Sequence, residues 1–174
     1  AASTPSIFFD GNNISGKRPA DLPIVQPGKF LAAYAETKAV AEKLVREANN
    51  PPSLLTVNIA PHQVYGERDG LFLPNFLDAR DKLRIFGKGQ NLASFCYVDN
   101  YCHGLILGYE ALHDKSPVLG KFYLITDGPP QNFWHALDRA VVKTGGTSLQ
   151  DKLKLPTPLL YAVAYVMQFF GKLF

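Results

Sequence analysis

The apolar positions along this chain switch between two periods. In AAYAETKAVAEKLVREAN, residues 32–49, Val40, Ala41, Leu44, Val45 and Ala48 recur at helical spacing with charge between them, which predicts an amphipathic helix. Asn49-Asn50 and then Pro51-Pro52 mark its end, because proline has no N–H to continue the ladder. LLTVNIAP (54–61) follows, a β-branched run closed by Pro61, the profile of a strand buried on both faces. Upstream, SIFF (6–9) reads as the end of a strand, and DGNNISGKRPADLPIVQPG as a polar loop rich in proline and glycine. Downstream of the YGERDG turn, FLPNFLDARDKL looks helical, and RIFGKGQNLASFCYV reads as strand, glycine turn, strand. Asp99 is a candidate cap for a helix over NYCHGLILGYEAL. KFYLITDG is a further strand and residues 131–143 a further helix. Strands alternating with helices predict an α/β fold with a parallel sheet.

Composition narrows the class. The 174 residues, 47% hydrophobic, are enough for one ordinary domain with a real core. Net charge is +3 and no Lys/Arg run exceeds two residues, so there is no nucleic-acid footprint. Cys96 and Cys102 are too few for a disulfide framework or a zinc site. They are expected to be buried free thiols in a reducing, intracellular setting, and no metal is expected. The opening residues, AASTPSIFF, have no basic segment of a signal peptide. From Leu155 to Gly171 there is no charge at all. A spanning helix needs about 20 apolar residues, and Pro156 and Pro158 belong at a helix start. A buried core helix, an interface-lying segment and a span all stay open for it.

Within the first predicted helix, Tyr34 and Lys38 stand four apart and share a face. A phenol with a free pKa near 10 is a poor base at neutral pH, but an ammonium held close stabilises the phenolate. Such a phenolate takes the proton of a substrate alcohol while hydride leaves for a nicotinamide, since no side chain can accept hydride. Taken alone, the pair is more often a helix-surface contact than a catalytic site. Its setting alters the balance. Ser3-Thr4-Pro5-Ser6 brings hydroxyls to one strand end and Pro61-His62-Gln63-Val64-Tyr65-Gly66 follows another, and α/β sheets place ligands at carboxyl edges.

With these pieces the sequence resembles the extended short-chain dehydrogenase/reductases. More narrowly, it is similar to the 3β-hydroxysteroid dehydrogenase/isomerase family, which includes the sterol-4α-carboxylate 3-dehydrogenases. The matching segments are STPSIFFDG (3–11), YAETKAVAEKLV (34–45), IAPHQVYGERD (59–69), LPNFL (73–77), FGKGQNLASFCYVDNYCHGLIL (86–107) and GKFYLITDGPPQNFWHAL (120–137). The resemblance implies that Tyr34 is the catalytic acid/base and that Lys38 binds the nicotinamide ribose and lowers the tyrosine's pKa. It implies that Thr4, with Ser6 as runner-up, holds the reacting oxygen. Pro61, His62 and Val64 would line the nicotinamide of NAD or NADP. Ser6, Phe72, Leu73, Phe76 and Phe95, with Phe86 and Tyr97, would wall an apolar pocket, although such aromatics are more often core. His62 reads as a hydrogen-bonded loop histidine rather than a proton shuttle. Thr4 also reads as a residue closing the turn before Pro5.

Two departures from the family pattern stand out. No glycine-rich nucleotide turn occurs in these residues; the family places it upstream of Ser3, so the chain reads as the C-terminal portion of an enzyme and as inactive alone. Ala60 stands where the family usually has arginine before the proline. The expected fold is α/β, an incomplete Rossmann-type parallel sheet with a small α/β substrate-binding lobe over residues 1–154. An apolar helix, membrane-associated, follows over 155–174. The expected function is NAD(P)-dependent oxidation of the 3β-hydroxyl of a sterol or steroid, with or without decarboxylation. The alternatives are an extended reductase acting on another alcohol or ketone and a non-catalytic scaffold or assembly subunit. Expected partners are a small apolar, sterol-like alcohol or ketone, a membrane surface and a second copy of the chain, but no nucleic acid. The expected location is intracellular, at the endoplasmic reticulum or another organelle membrane.

Overall fold

The computed structural model describes residues 1–171, of Phe170 the backbone alone. Residues 172–174 of the expected C-terminal helix lie outside it. The chain forms two compact units. The first is built from residues 1–67 and 94–128, the second from 68–93 and 129 onward.

The first unit holds α1 (Ala33–Glu47), β1 (Asn58–Pro61), β2 (Gln63–Tyr65), β4 (Phe95–Tyr97), α3 (Val98–Glu110) and β5 (Phe122–Ile125). β1 pairs in parallel with β5, Ile59 opposite Tyr123, and β2 in parallel with β4, Val64 opposite Cys96. A parallel bridge from Ala2 to Ile59 adds the start of the chain beside β1. Val57, Asn58, Ile59 and Ala60 are all buried, as expected of a strand covered on both faces. Two glycines let α3 settle close onto this sheet. A Cβ at Gly104 would meet Ile125 at 2.8 Å, and one at Gly108 would meet Ile59 at 3.0 Å.

Four expectations change here. SIFF is no strand end: Pro5–Phe8 is a turn of 3-10 helix, because the Thr4 side chain accepts the Ser6 N–H and fixes a tight turn. The apolar stripe of α1 is not its buried face. Val40 and Leu44 are more than half exposed, and the residues that go in are Ala35, Ala39 and Glu42. Small side chains at i and i+4, Ala35 and Ala39, let the helix lie close, and Glu42 at i+7 falls on the same face, so proximity rather than hydrophobic bulk picks it. Asp99 does not cap α3. The helix starts at Val98 with Tyr97 as N-cap and Asp99 in the first turn. Of the two thiols, both expected to be buried, Cys96 is, whereas Cys102 is exposed on α3.

The second unit holds α2 (Leu73–Asp78), β3 (Leu92–Ala93), β6 (Gln131–Asn132), α4 (Phe133–Lys143) and α5 (Thr157–Gly171). β3 and β6 pair antiparallel. The helix expected over 131–143 therefore begins at Phe133, where Asn132 accepts the His135 N–H at 2.9 Å. The helix expected over FLPNFLDARDKL is confined to Leu73–Asp78. Asp69 fastens its entry by accepting the N–H groups of Leu71, Phe72 and Leu73 at 2.8–2.9 Å. Ile85, Trp134, Leu137, Val141 and Leu149 form a buried cluster. The RIF segment adds a parallel bridge, Phe86 to Leu155, in place of a regular strand.

Candidate functional site

The first turn of α1 carries Tyr34 and the second Lys38. The helix starts without a side-chain cap, but Glu36 brings an anionic side chain to its positive end and accepts the Gly28 N–H at 3.3 Å. With Ala35 and Ala39 turned inward, Tyr34 comes to the surface at 59% exposure and Lys38 is half-buried. The two meet: Lys38 Nζ lies 5.9 Å from the centroid of the Tyr34 ring. Among the described residues Lys38 enters no ion pair. Its ammonium thus faces the aromatic ring of Tyr34 rather than a carboxylate.

The Ser/Thr cluster lies in the 3-10 turn that packs against α1. Thr4 is buried, Ser6 half-buried. Thr4 Oγ1 accepts the Ser6 N–H at 3.3 Å and donates to Ser6 Oγ at 3.2 Å. The two candidate hydroxyls are therefore a linked pair, with Thr4 holding the turn and Ser6 the more open. Ser3 Oγ is buried without a hydrogen-bond partner, as are Glu42 Oε2 and Asn58 Nδ2.

The proposed nicotinamide-lining residues follow the end of β1. Pro61 is opposite Ile125, the His62 N–H donates to the Ile125 carbonyl at 3.2 Å, and Val64 lies in β2. Burial lowers the pKa of His62, opposed by a backbone hydrogen bond to Ser94, so the imidazole stays neutral at neutral pH. The apolar candidates are divided between the units. Phe95 is buried in the first, its ring edge-on to Tyr65 at 6.2 Å. Phe72, Leu73 and Phe76 are half-buried in the second and packed against its core cluster. Phe72 and Phe76 meet edge-on at 5.2 Å.

One polar centre was missed by the sequence reading. Asp127, just past β5, accepts the Tyr97 N–H at 2.7 Å and Asn100 Nδ2 at 2.8 Å, and is hydrogen-bonded by the Tyr65 side chain. Burial pushes its carboxyl up, but the bonds from Asn100, Tyr97 and Tyr65 together hold it below the ordinary carboxylate value. Burial first, then the hydrogen bond to and charge of Asp127, raise the Tyr65 phenol. Beneath this centre the backbone turns through Gly66 at φ +136°, where a Cβ would strike Tyr97 and Val98 at 2.8 Å, so a side chain has no room. The available signal was the acid in ITDG at a strand's carboxyl end. Among the described residues no group of His, Cys, Asp and Glu is arranged to hold a metal.

Residues 3–157 match the model of the 3-beta hydroxysteroid dehydrogenase/isomerase family. The chain belongs to that family. The sterol-4-alpha-carboxylate 3-dehydrogenase, decarboxylating, of Mus musculus is 34% identical over 169 residues, covering 95% of this chain and 45% of that protein. The 3beta-hydroxysteroid-dehydrogenase/decarboxylase isoform 1 of Arabidopsis thaliana is 32% identical, covering 98% of this chain and 40% of that protein. The chain thus spans less than half the length of these relatives. Among solved structures, the dTDP-glucose 4,6-dehydratase of Bacillus anthracis in complex with NAD superposes with a TM-score of 0.65 at 15% identity, over 89% of this chain and 48% of that one. At that identity the likeness fixes the fold alone: a Rossmann-type α/β fold, as the family segments implied.

Proposed function

We propose that this chain is part of an NAD(P)-dependent 3β-hydroxysteroid dehydrogenase-like enzyme that oxidises the ring 3β-hydroxyl of a sterol or steroid. The observation that carries this is the half-buried Lys38 ammonium, 5.9 Å from the Tyr34 ring and free of carboxylates among the described residues. A cation so placed keeps its N–H donors available to a ribose hydroxyl beside the phenol. Lys38, with Pro61, His62 and Val64, would hold the nicotinamide end of the cofactor. When bound, the nicotinamide supplies the hydride acceptor.

The remaining work falls to residues of this chain. Tyr34 Oη takes the proton from the substrate hydroxyl as the carbinol hydride departs, leaving a ketone. Ser6 Oγ, the more open member of the Thr4–Ser6 pair, holds the substrate oxygen, and Thr4 orients Ser6. In a substrate with a 4α-carboxylate the new ketone is β to the acid, so carbon dioxide is lost with its bonding electrons delocalised into an enolate. No metal is needed. Neutral His62 contributes lining and no charge.

In the intact protein, Tyr34→Phe is expected to lower kcat by roughly 10²–10⁴-fold with cofactor binding retained, measured by steady-state turnover and by nucleotide titration. Turnover within a few-fold of wild type would remove Tyr34 from this role. A second reading, a non-catalytic Rossmann-derived scaffold, draws its support from Ala60. That residue is completely buried and uncharged at the position where the family usually carries arginine. Loss of nucleotide binding by the intact wild-type protein would favour it.

A further inference from the structure

The strand that would line the nicotinamide has few bonds of its own. β2 runs only from Gln63 to Tyr65 and pairs with β4. At its inner end the His62 N–H donates to the Ile125 carbonyl at 3.2 Å and the Gln63 N–H to the Ser94 carbonyl at 3.4 Å. At its outer end the backbone turns away through Gly66, pressed so closely on Tyr97 and Val98 that a side chain has no room. Where Val64 stands therefore depends on the corner between β4 and α3.

That corner is held by Asp127. Its N–H donates to the Phe95 carbonyl at 2.8 Å, and its carboxylate accepts the Tyr97 N–H at 2.7 Å and Asn100 Nδ2 at 2.8 Å. One residue thus spans β4 from Phe95 to Tyr97 and reaches the first turn of α3. Both side-chain bonds end on Oδ1, which leaves Oδ2 open to the Tyr65 phenol. The Tyr65 ring contacts those of Phe95 and Tyr97, at 6.2 and 5.7 Å between centroids. Side chains alternate along a strand, so Tyr65 and Val64 point to opposite faces of β2. The contact with Asp127 is made from the Tyr65 face and leaves the Val64 face free.

We propose that Asp127 is a positioning residue for the nicotinamide-lining segment from Pro61 to Val64, acting through the β4–α3 corner and the Tyr65 phenol. This rests on the dehydrogenase reading, which takes those residues to line the nicotinamide.

The test is nucleotide titration of the intact protein with NAD and NADP, each beside its nicotinamide-free counterpart, ADP-ribose or 2′-phospho-ADP-ribose. The counterparts keep the ribose that Lys38 would hold and lack the ring that Pro61, His62 and Val64 would line. In Asp127→Asn the amide oxygen can keep the bonds to Tyr97 and Asn100, while a donor replaces the acceptor beside the Tyr65 phenol. Affinity for the preferred dinucleotide is expected to fall roughly five- to ten-fold, with affinity for its counterpart held within about two-fold. Tyr65→Phe, which keeps the ring against Phe95 and Tyr97, should reproduce that split. In the double variant the loss should not exceed that of Asp127→Asn alone, because both substitutions break one link. Equal losses for dinucleotide and counterpart would make Asp127 a residue of general stability and overturn the proposal. So would unchanged affinities, or losses that multiply in the double variant. A wild-type protein that binds none of the four nucleotides would instead remove the dehydrogenase reading, and the proposal with it.

Discussion

The two units are held together by different chemistry. The second closes around a dry cluster of Ile85, Trp134, Leu137, Val141 and Leu149, with Phe72, Phe76 and Phe133 packed upon it. The first closes with little bulk. Alanines of α1 and glycines of α3 bring helices close to the sheet, and polar groups are buried beneath them, Ser3, Glu42 and Asn58 each leaving one atom without a hydrogen bond. The unit that carries the Tyr34–Lys38 pair is thus the one whose packing depends on specific polar groups. Polar packing fixes geometry where reacting atoms need it, whereas an aromatic cluster supplies stability with less directional demand.

Truncation in the dry cluster should produce the largest effect. Leu137 is almost fully buried there, and Leu137→Ala should cost about 2–5 kcal/mol through lost transfer energy and a cavity. Trp134, the single tryptophan, reads the urea transition. A cost below about 1 kcal/mol would mean that the cluster collapses into the gap, and the contrast between the units would fail.

Loss of the Asp127 clasp should come next. Asp127→Asn keeps the shape but exchanges a charged acceptor for an amide, weakening bonds to Tyr97, Asn100 and Tyr65 by about 1 kcal/mol in this exposed setting. Because the folded-state pKa is lowered, the advantage of the carboxylate is present above its ordinary value of 3.8 and is lost as pH falls through the folded value. Hydrogen exchange at the Tyr97 amide, compared across that range, checks both the size and the sign.

The smallest effect should be a gain. Burial raises the Glu42 carboxyl, opposed by Arg46, whose Nη2 lies 3.4 Å from Oε2 without completing a hydrogen bond. A raised acid keeps its proton in the folded state, so the charge is a cost that grows as pH rises above the ordinary value of 4.5 and levels off beyond the folded value. Glu42→Gln should therefore stabilise by less than about 1 kcal/mol at neutral pH, with the gain gone by pH 4.5 in chemical melts. A loss at neutral pH would show that the Arg46 pair outweighs burial.

How much of this the sequence disclosed depended on range. The α1 helix and the buried β1 strand were legible, because alanine-rich periodicity, Pro51-Pro52 and a β-branched run are local signals. The buried face of α1 was not. Val40 and Leu44 outweigh Ala35 and Ala39 in hydrophobicity, but only small residues permit the close approach. The start of α3 was misread at Asp99 because the acceptor for the Tyr97 N–H is Asp127, thirty residues further on. The 3-10 turn after Thr4 lost to a strand reading because SIFF is apolar, while one hydroxyl decides the conformation. For the candidate site, the Tyr34–Lys38 pair followed from helical spacing, whereas the pairing of Thr4 with Ser6 and the Asp127 centre are tertiary facts.

The path of the backbone has a genetic consequence. Residues 68–93 leave the first unit before it is finished, and residues 94–128 return to finish it. A message ended anywhere ahead of Phe122 would deprive β1 of its neighbour β5 and the second unit of α4 together. Neither half can be inherited, expressed or discarded as a continuous piece, so both units stand or fall with a single uninterrupted reading frame.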